Sequence, residues 1–397
     1  MELSRKAQRI EPSVTLAITA KAKEMKENGV DVISFGAGEP DFNTPTNIID
    51  AAIKAMNDGN TKYTNVNGIL TLREAICRKF KDDNNLSYNP SQIVVSTGAK
   101  QSLANAFLAI LNPGDEVIVP SPYWVSYPEL IGLADGKAVF VNSDKKFDYK
   151  FTKENLEEVV SEKTKAIILN TPNNPTGTVY SKDELIEIAE FAKKYNLIIV
   201  SDEMYEKLIY DGEKHISIAS ISQDAYERTI VINGLSKSYA MTGWRLGYCG
   251  ASEKIAKLMT NIQSHMTSNV CSITQYAAIE ALNGPQDKVK EMIFEFEKRR
   301  NYMVDTLEGI EKLSIIKPQG AFYIMINLDE CLGKTINGEV INNSMDFSAK
   351  LLEYEKVAVI PGKAFGLDNY VRVSYATSME AIKEGLNRIK KFVENMK

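Results

Sequence analysis

Five short apolar runs rich in β-branched residues mark the middle of the chain: IVVST at 93–97, VIVP at 117–120, AIIL at 166–169, LIIVSD at 197–202 and TIVINGLSK from 229. They are bounded by Gly, Pro and Asn and lack the polar alternation of a half-solvated strand. They therefore read as strands of a sheet covered on both faces. Between them apolar residues recur at three and four, as in Leu103, Ala106, Phe107, Ile110 and Leu111, or Leu185, Ile188, Ala189 and Ala192, which is the pattern of amphipathic helices. Strand alternating with helix predicts an α/β fold with a mostly parallel sheet. The helix after Ser181 opens with SKDE, a capping-box signature in which Ser181 and Glu184 satisfy each other's backbone donors.

At 397 residues the chain is long enough for two or three domains. After about residue 285 the rhythm changes to a long charged helix, then short strands around AFYIMINL and VRVSYA with helices near 345–355 and 379–396, which reads as an α+β unit. The first 45 residues hold a basic amphipathic helix, LAITAKAKEMKENG, and an irregular GAGEPDFNTP stretch. No repeat or low-complexity linker interrupts the chain.

Composition narrows the function. Hydrophobic residues at 44% and charged residues at 25% exclude disordered, collagen-like and disulfide-scaffold classes. A net charge of -5 gives no general attraction for nucleic acid or acidic membranes. No window reaches the roughly 18 to 20 apolar residues of a membrane span. The four cysteines, Cys77, Cys249, Cys271 and Cys331, show no CxxC spacing, and no apolar leader opens the sequence, so a cytoplasmic location is expected. With only His215 and His265, multi-histidine catalysis and a histidine-rich metal site lack raw material, and no metal is expected.

Four segments carry candidate chemistry. In STGAKQ (96–101) a strand runs into a helix through Gly98, where free N–H groups and the helix dipole suit a phosphate; alone it is also an ordinary turn, and it matches neither GxxxxGK[ST] nor GxGxxG. NTPNNPTG (170–177) puts two carboxamides, Asn173 and Asn174, after a strand, although such a cluster is usually a turn. SDEMY (201–205) sets Asp202 and Glu203 at a strand's carboxyl end, where open α/β sheets bind ligands; Asp202 alone could equally be a helix cap. NGLSKSYAMTGWRLGY (233–248) places Lys237 past another strand, beside Ser236 and eight residues before Arg245. A lone lysine is usually a solvated charge.

Taken together with GAGEPDF (36–42), KYTNVNG (62–68), PSPYW (120–124) and YVRVSYA (370–376), these blocks make the whole chain resemble the class I pyridoxal-phosphate-dependent aminotransferases of fold type I, within their bacterial aspartate aminotransferase branch. The resemblance implies a large domain (46–285) with a mostly parallel seven-stranded sheet flanked by helices. It also implies a smaller α+β domain built from both termini (1–45 and 286–397), and a homodimer with shared active sites.

It further implies residue roles. Lys237 is the lysine that bonds the aldehyde of pyridoxal 5′-phosphate and moves the substrate α-proton. Asp202 pairs with the pyridine nitrogen. Tyr205 and Asn174 hydrogen-bond the ring's phenolic oxygen, and Trp124 stacks on the ring. The phosphate is held by backbone N–H groups of Gly98, Ala99 and Lys100, by Ser236, by Arg245, and by Tyr63 of the neighbouring subunit. Arg245 is also expected to disfavour a second charge on Lys237. Arg372 grips the substrate α-carboxylate as a fork, with the Gly38 backbone closing over it. Lys100, with Thr15 or Ser13, is placed to bind an acidic side chain. Hence transfer of the α-amino group of aspartate to 2-oxoglutarate is expected, in a ping-pong cycle.

Relatives with most of these motifs act on aromatic amino acids, alanine or prephenate, and fold does not settle chemistry. Glu11 stands where some members carry a basic residue, a departure that weighs on prephenate use. A carbon-sulfur lyase would use the same lysine, aspartate and arginine. A cofactor-binding regulator would need a DNA-binding module, for which the spread of motifs leaves no room.

Overall fold

The five buried runs are all strands of one sheet in the computed structural model, which describes residues 2–397. In chain order the strands are β1 (Ile33–Ser34), β2 (Ile93–Ser96), β3 (Glu116–Ser121), β4 (Lys137–Asn142), β5 (Thr164–Asn170), β6 (Ile198–Asp202), β7 (Thr229–Gly234) and β8 (Gly247–Gly250). Strands β2 to β8 make a seven-stranded sheet in the order β2-β8-β7-β6-β5-β3-β4. All neighbours are parallel except β8, which runs antiparallel to β2 and β7. The fold class expected from the sequence is the one found.

Side-chain parity assigns the two faces. Val94, Val119, Ile168, Val200, Ile230 and Ile232 pack with Leu103, Phe107 and Met259 from helices on one face. Ile118, Ile167, Leu169 and Ile199 meet Leu185, Ile188 and Phe191 on the other, while Val95, Val231 and Tyr248 meet Ile76, Phe80 and Ala278. Each such side chain contributes roughly 1.5 to 3 kcal/mol of hydrophobic stabilisation, and continuous burial explains the absence of polar alternation. The helix after Ser181 begins with the capping box, Glu184 Oε2 accepting from the Ser181 N–H at 2.7 Å.

Two strands escaped the pattern. Strand β4 lies at the sheet edge, and of its six residues only Val141 is fully buried. Strand β8 is GYCG, with no β-branched residue, and owes its conformation to pairing on both sides. Because Gly234 faces Gly247, residues 235–246 are forced into a loop at the sheet's carboxyl edge.

The chain continues through β9 (Ser314–Ile315), β10 (Tyr323–Asn327), the hairpin β11 (Thr335–Ile336) and β12 (Glu339–Val340), then β13 (Val357–Ala358), β14 (Ile360–Pro361) and β15 (Tyr370–Ser374). An antiparallel sheet has the order β14-β15-β10-β9, and β1 pairs in parallel with β13. Phe296, Met303 and Leu307 of the helix Asp287–Glu308 share a core with Ile382, Leu386, Ile389 and Phe392 of the helix Met379–Glu394. Phe35, just past β1, enters the same core.

Candidate active site

Strands β2, β5, β6 and β7 are parallel, so Ser96, Asn170, Asp202 and Gly234 end at one edge. A cavity of about 450 Å³ opens there, closed by residues 36–39 on one side and by Tyr323, Phe365 and Arg372 on another. Lys237, Asp202, Tyr205, Asn174, Trp124, Ala99, Lys100, Ser236, Arg245, Arg372 and Gly38 all line it, as do Ser13 and Thr15. Tyr63 does not: its side chain lies on the outer surface, 91% exposed.

An anion cradle lies where β2 enters the helix Ala99–Ile110 through Gly98, whose φ of +80° suits glycine. The Gly98 N–H is engaged by the Ser96 carbonyl at 2.7 Å. The open donors are therefore those of Ala99 and Lys100, which have no partner among the described residues. This corrects the expectation of three free N–H groups: the tight turn that starts the helix consumes the first. The Arg245 guanidinium lies directly over Gly98, since a Cβ there would meet its Nη2 at 2.5 Å. Gly247 admits no side chain either, because a Cβ would lie 2.2 Å from the Ala99 nitrogen. Two glycines thus let a helix N-terminus and an arginine converge on one point, a geometry made for a phosphate dianion.

Asp202 ends β6 and is buried. Its carboxylate accepts the Tyr127 hydroxyl at 2.7 Å and the Met204 N–H at 3.2 Å, and no cation pairs with it among the described residues. Burial raises its pKa, the Tyr127 and Met204 bonds pull it down, and the net position is about 6. A buried carboxylate without an ion-pair partner is costly, so this position suits a cationic group placed in the cavity. Asn170 braces this edge: its Nδ2 donates to the Asp202 carbonyl and its Oδ1 accepts the Asn174 N–H, both at 2.9 Å.

Lys237 follows β7, and its amine contacts the Gly38 carbonyl. Its side chain is half-buried, enclosed by the protein except where it opens onto the cavity. Burial lowers its pKa to about 8, with Glu39 opposing and Arg372 and Arg245 assisting. Burial, rather than Arg245, is thus the main cause. At pH 7 about a tenth of the amine is neutral, against well under a thousandth for an ordinary lysine.

Tyr205 is buried, and its hydroxyl lies 3.0 Å from that of Tyr323. Burial and the Tyr323 neighbour push the Tyr205 phenol well up, so it stays protonated and able to donate. Arg372 is 3% exposed, gives Nη1 to Asn174 Oδ1 at 2.9 Å, and leaves Nε without a partner. Trp124 stands edge-on to Tyr127 at 5.3 Å, with Lys100 Nζ 5.0 Å from its ring centroid. Burial, then Arg245, lowers the Lys100 pKa.

Tyr127, Asn170, Tyr323 and Phe365 were not singled out by sequence. Asn170 ends β5 and so shares the strand-end position of Asp202, whereas Tyr127 lies inside the helix Ser126–Leu133, three residues after Trp124. Tyr323 and Phe365 look like core aromatics.

A family model described as aminotransferase class I and II matches residues 30–389. An aspartate aminotransferase of Bacillus sp. (strain YM-2) is 51% identical over 392 residues, covering 99% of each chain. One from Bacillus subtilis (strain 168) is 50% identical over 398 residues, again covering 99% of each. A crystal structure of the aspartate aminotransferase from Rhizobium meliloti superimposes with a TM-score of 0.97 at 41% identity, covering 100% of both chains.

Proposed function

Because the chain belongs to the class I and II aminotransferases, we propose that it moves the α-amino group of L-aspartate to 2-oxoglutarate, giving oxaloacetate and L-glutamate, with pyridoxal 5′-phosphate as cofactor. The observation that carries this reading is the buried Asp202, without a salt-bridge partner among the described residues, sharing one cavity with a partly neutral Lys237, an anion cradle and a buried Arg372. The cofactor fits this donor set. Its phosphate suits the Ala99 and Lys100 N–H groups, Ser236 and Arg245, its ring nitrogen Asp202, its phenolic oxygen Tyr205 and the Asn174 amide, and its ring face Trp124. When bound, pyridoxal phosphate supplies an aldehyde for the amino group and a protonated ring that withdraws electrons from the substrate α-carbon.

The protein's own groups do the rest. Lys237 Nζ, partly neutral because of its burial, would take the proton from the substrate α-carbon and, as the acid so formed, give it up to the carbon that the cofactor's aldehyde supplies, with the reverse transfer in the second half, so that the amine is regenerated each time. Asp202, held ionised by Tyr127 and Met204, keeps the ring nitrogen protonated. Arg372 presents its Nε edge to the α-carboxylate while Asn174 fixes Nη1. Lys100, over Trp124, takes the distal carboxylate of aspartate or 2-oxoglutarate, with Ser13 and Thr15 on the same cavity wall.

Tyr63 is proposed to reach the phosphate of the neighbouring subunit in a homodimer, which its exposure in one chain supports. A cytoplasmic location goes with this reading. The pairing of β1 with β13 supports a small domain built from residues 1–45 and 286–397, set against a large one at 46–285.

A half-reaction screen tests the proposal: the cofactor absorbance is followed as each of twenty amino acids is added. Aspartate and glutamate should convert it and release the matching oxo acids. Borohydride reduction and peptide mapping should label Lys237. Release of a thiol or ammonia instead, or a label on another lysine, would overturn it.

A further inference from the structure

Arg372 on β15 opposes Met325 on β10, and Tyr323 opposes Ser374. In an antiparallel pair, residues 323 and 372 are therefore diagonal neighbours on one face. The Tyr323 ring centroid lies 4.2 Å from the Arg372 Cζ, and the Phe365 ring lies 4.8 Å from it. Asn174 holds Nη1, and Nε is buried without a partner. A buried guanidinium has lost its water, and here aromatic rings and one carboxamide replace it. What remains available is its Nε edge.

The hydroxyl of the same tyrosine lies 3.0 Å from that of Tyr205. Each phenol has a single hydrogen. If Tyr205 is to give its hydrogen to the ring oxygen, it must accept from its other neighbour. Tyr323 is the one side chain bonded to it among the described residues, so the direction Tyr323 to Tyr205 to ring oxygen follows. Tyr323 also faces Gly38, where an added Cβ would lie 3.9 Å from its oxygen.

We propose that Tyr323 is a positioning residue with two jobs: its ring fixes the plane of Arg372 for the substrate α-carboxylate, and its hydroxyl fixes the direction in which Tyr205 donates. Burial, which raises the pKa of both phenols, keeps the two hydrogens in place at neutral pH. The inference rests on the reading of Arg372 as the α-carboxylate site. The two jobs separate by substitution, since Tyr323→Phe keeps the ring and removes the hydroxyl, while Tyr323→Leu removes both.

The test uses the cofactor-loaded enzyme with two readouts that do not depend on turnover. One is calorimetric binding of maleate, a dicarboxylate without an amine; the other is the pH midpoint of the visible absorbance change. Tyr323→Leu should weaken maleate binding about tenfold, the scale of a desolvated cation–π contact. Tyr323→Phe should leave maleate binding within about twofold but raise the absorbance midpoint by about half a unit, the scale of one hydrogen bond. Arg372→Leu is the control for the underlying reading and should weaken maleate by at least about tenfold. If it does not, the carboxylate assignment itself fails. If it does, while Tyr323→Leu binds maleate like the unaltered enzyme, the proposal is overturned. An unmoved midpoint in Tyr323→Phe, which preserves packing and folding, overturns it as well.

Discussion

Replacing Tyr127 by Phe should make cofactor binding pH-dependent in a calculable way. The substitution removes one hydroxyl, which donates to Asp202 at 2.7 Å, and keeps the ring packed edge-on against Trp124. A hydrogen bond to an ionised group is worth about 1.5 to 3 kcal/mol, equivalent to about one to two pKa units. Asp202 should therefore rise from about 6 to roughly 7.5. Its folded-state pKa is above the ordinary value, so the ionised form needed to hold a protonated ring nitrogen is present above that pKa and lost below it. The ionised fraction at pH 7 should fall from about nine-tenths to about a quarter, weakening cofactor binding about fourfold. At pH 9 both forms are ionised and the loss should vanish, whereas at pH 5 it should approach about thirtyfold. Lys237 also titrates over this range, and because Asp202 is the weakest of the charges acting on it, its contribution is nearly the same in both proteins and largely drops out of the ratio. Calorimetric titration of cofactor-stripped enzyme with pyridoxal phosphate at the three pH values provides the measurement. A loss of equal size at all three, or one that grows with pH, would refute the electrostatic account and leave only packing.

Gly98→Ala brings a methyl to 2.5 Å from Arg245 Nη2 at a φ of +80°. It should weaken pyridoxal phosphate by at least about tenfold while barely changing affinity for pyridoxal itself, and equal losses for both ligands would argue against the cradle. Lys79 contacts Glu206 in the interior, with Asn84 Nδ2 2.8 Å from that carboxylate. Burial opposes the Glu206 charge, but Lys79 outweighs it and holds the pKa at about 2. Because that value is depressed, the stability contributed is full above the ordinary carboxylate pKa and lost as pH falls from about 4.5 towards 2, and Lys79→Met should cost about 3 to 5 kcal/mol in neutral-pH denaturant unfolding. Lys100→Ser should raise KM for aspartate far more than for alanine, by about tenfold or more. Mixing Tyr63→Phe with Arg372→Ala subunits should raise activity above the mean of the parents, since each hybrid regains one intact shared site; activity equal to that mean would indicate independent sites.

What was legible in the sequence follows from where each residue stands. Gly98, Asp202 and Lys237 close or follow buried strands, and a parallel sheet brings strand ends to one edge whatever else the chain does. Tyr127 and Tyr323 could not be read in this way, because their partners lie 75 and 118 residues away in sequence and their own neighbourhoods look like packing. The Gly98 N–H was misjudged for a local reason: a tight turn to Ser96 leaves no trace in residue type. Strand β8 was invisible because two of the four residues in GYCG are glycines and none is β-branched, so its conformation is set by its two neighbours.

The scarcity of histidine is explained at the same level. His215 is bonded to Glu203 at 2.9 Å, His265 lies in the helix Glu253–Met266, and neither lines the cavity. An imidazole would bring a suitable pKa by nature, whereas a lysine reaches one only through burial. The same burial leaves Asp202 near 6 and strips Arg372 of water. One physical condition, burial at the end of a parallel sheet, thus acts on Lys237, Asp202 and Arg372 together. A substitution that admits more water there, such as Phe365→Ala, should move the Lys237 pKa up and the Asp202 pKa down at once, where loss of the Tyr127 hydrogen bond should move chiefly Asp202 and in the opposite direction.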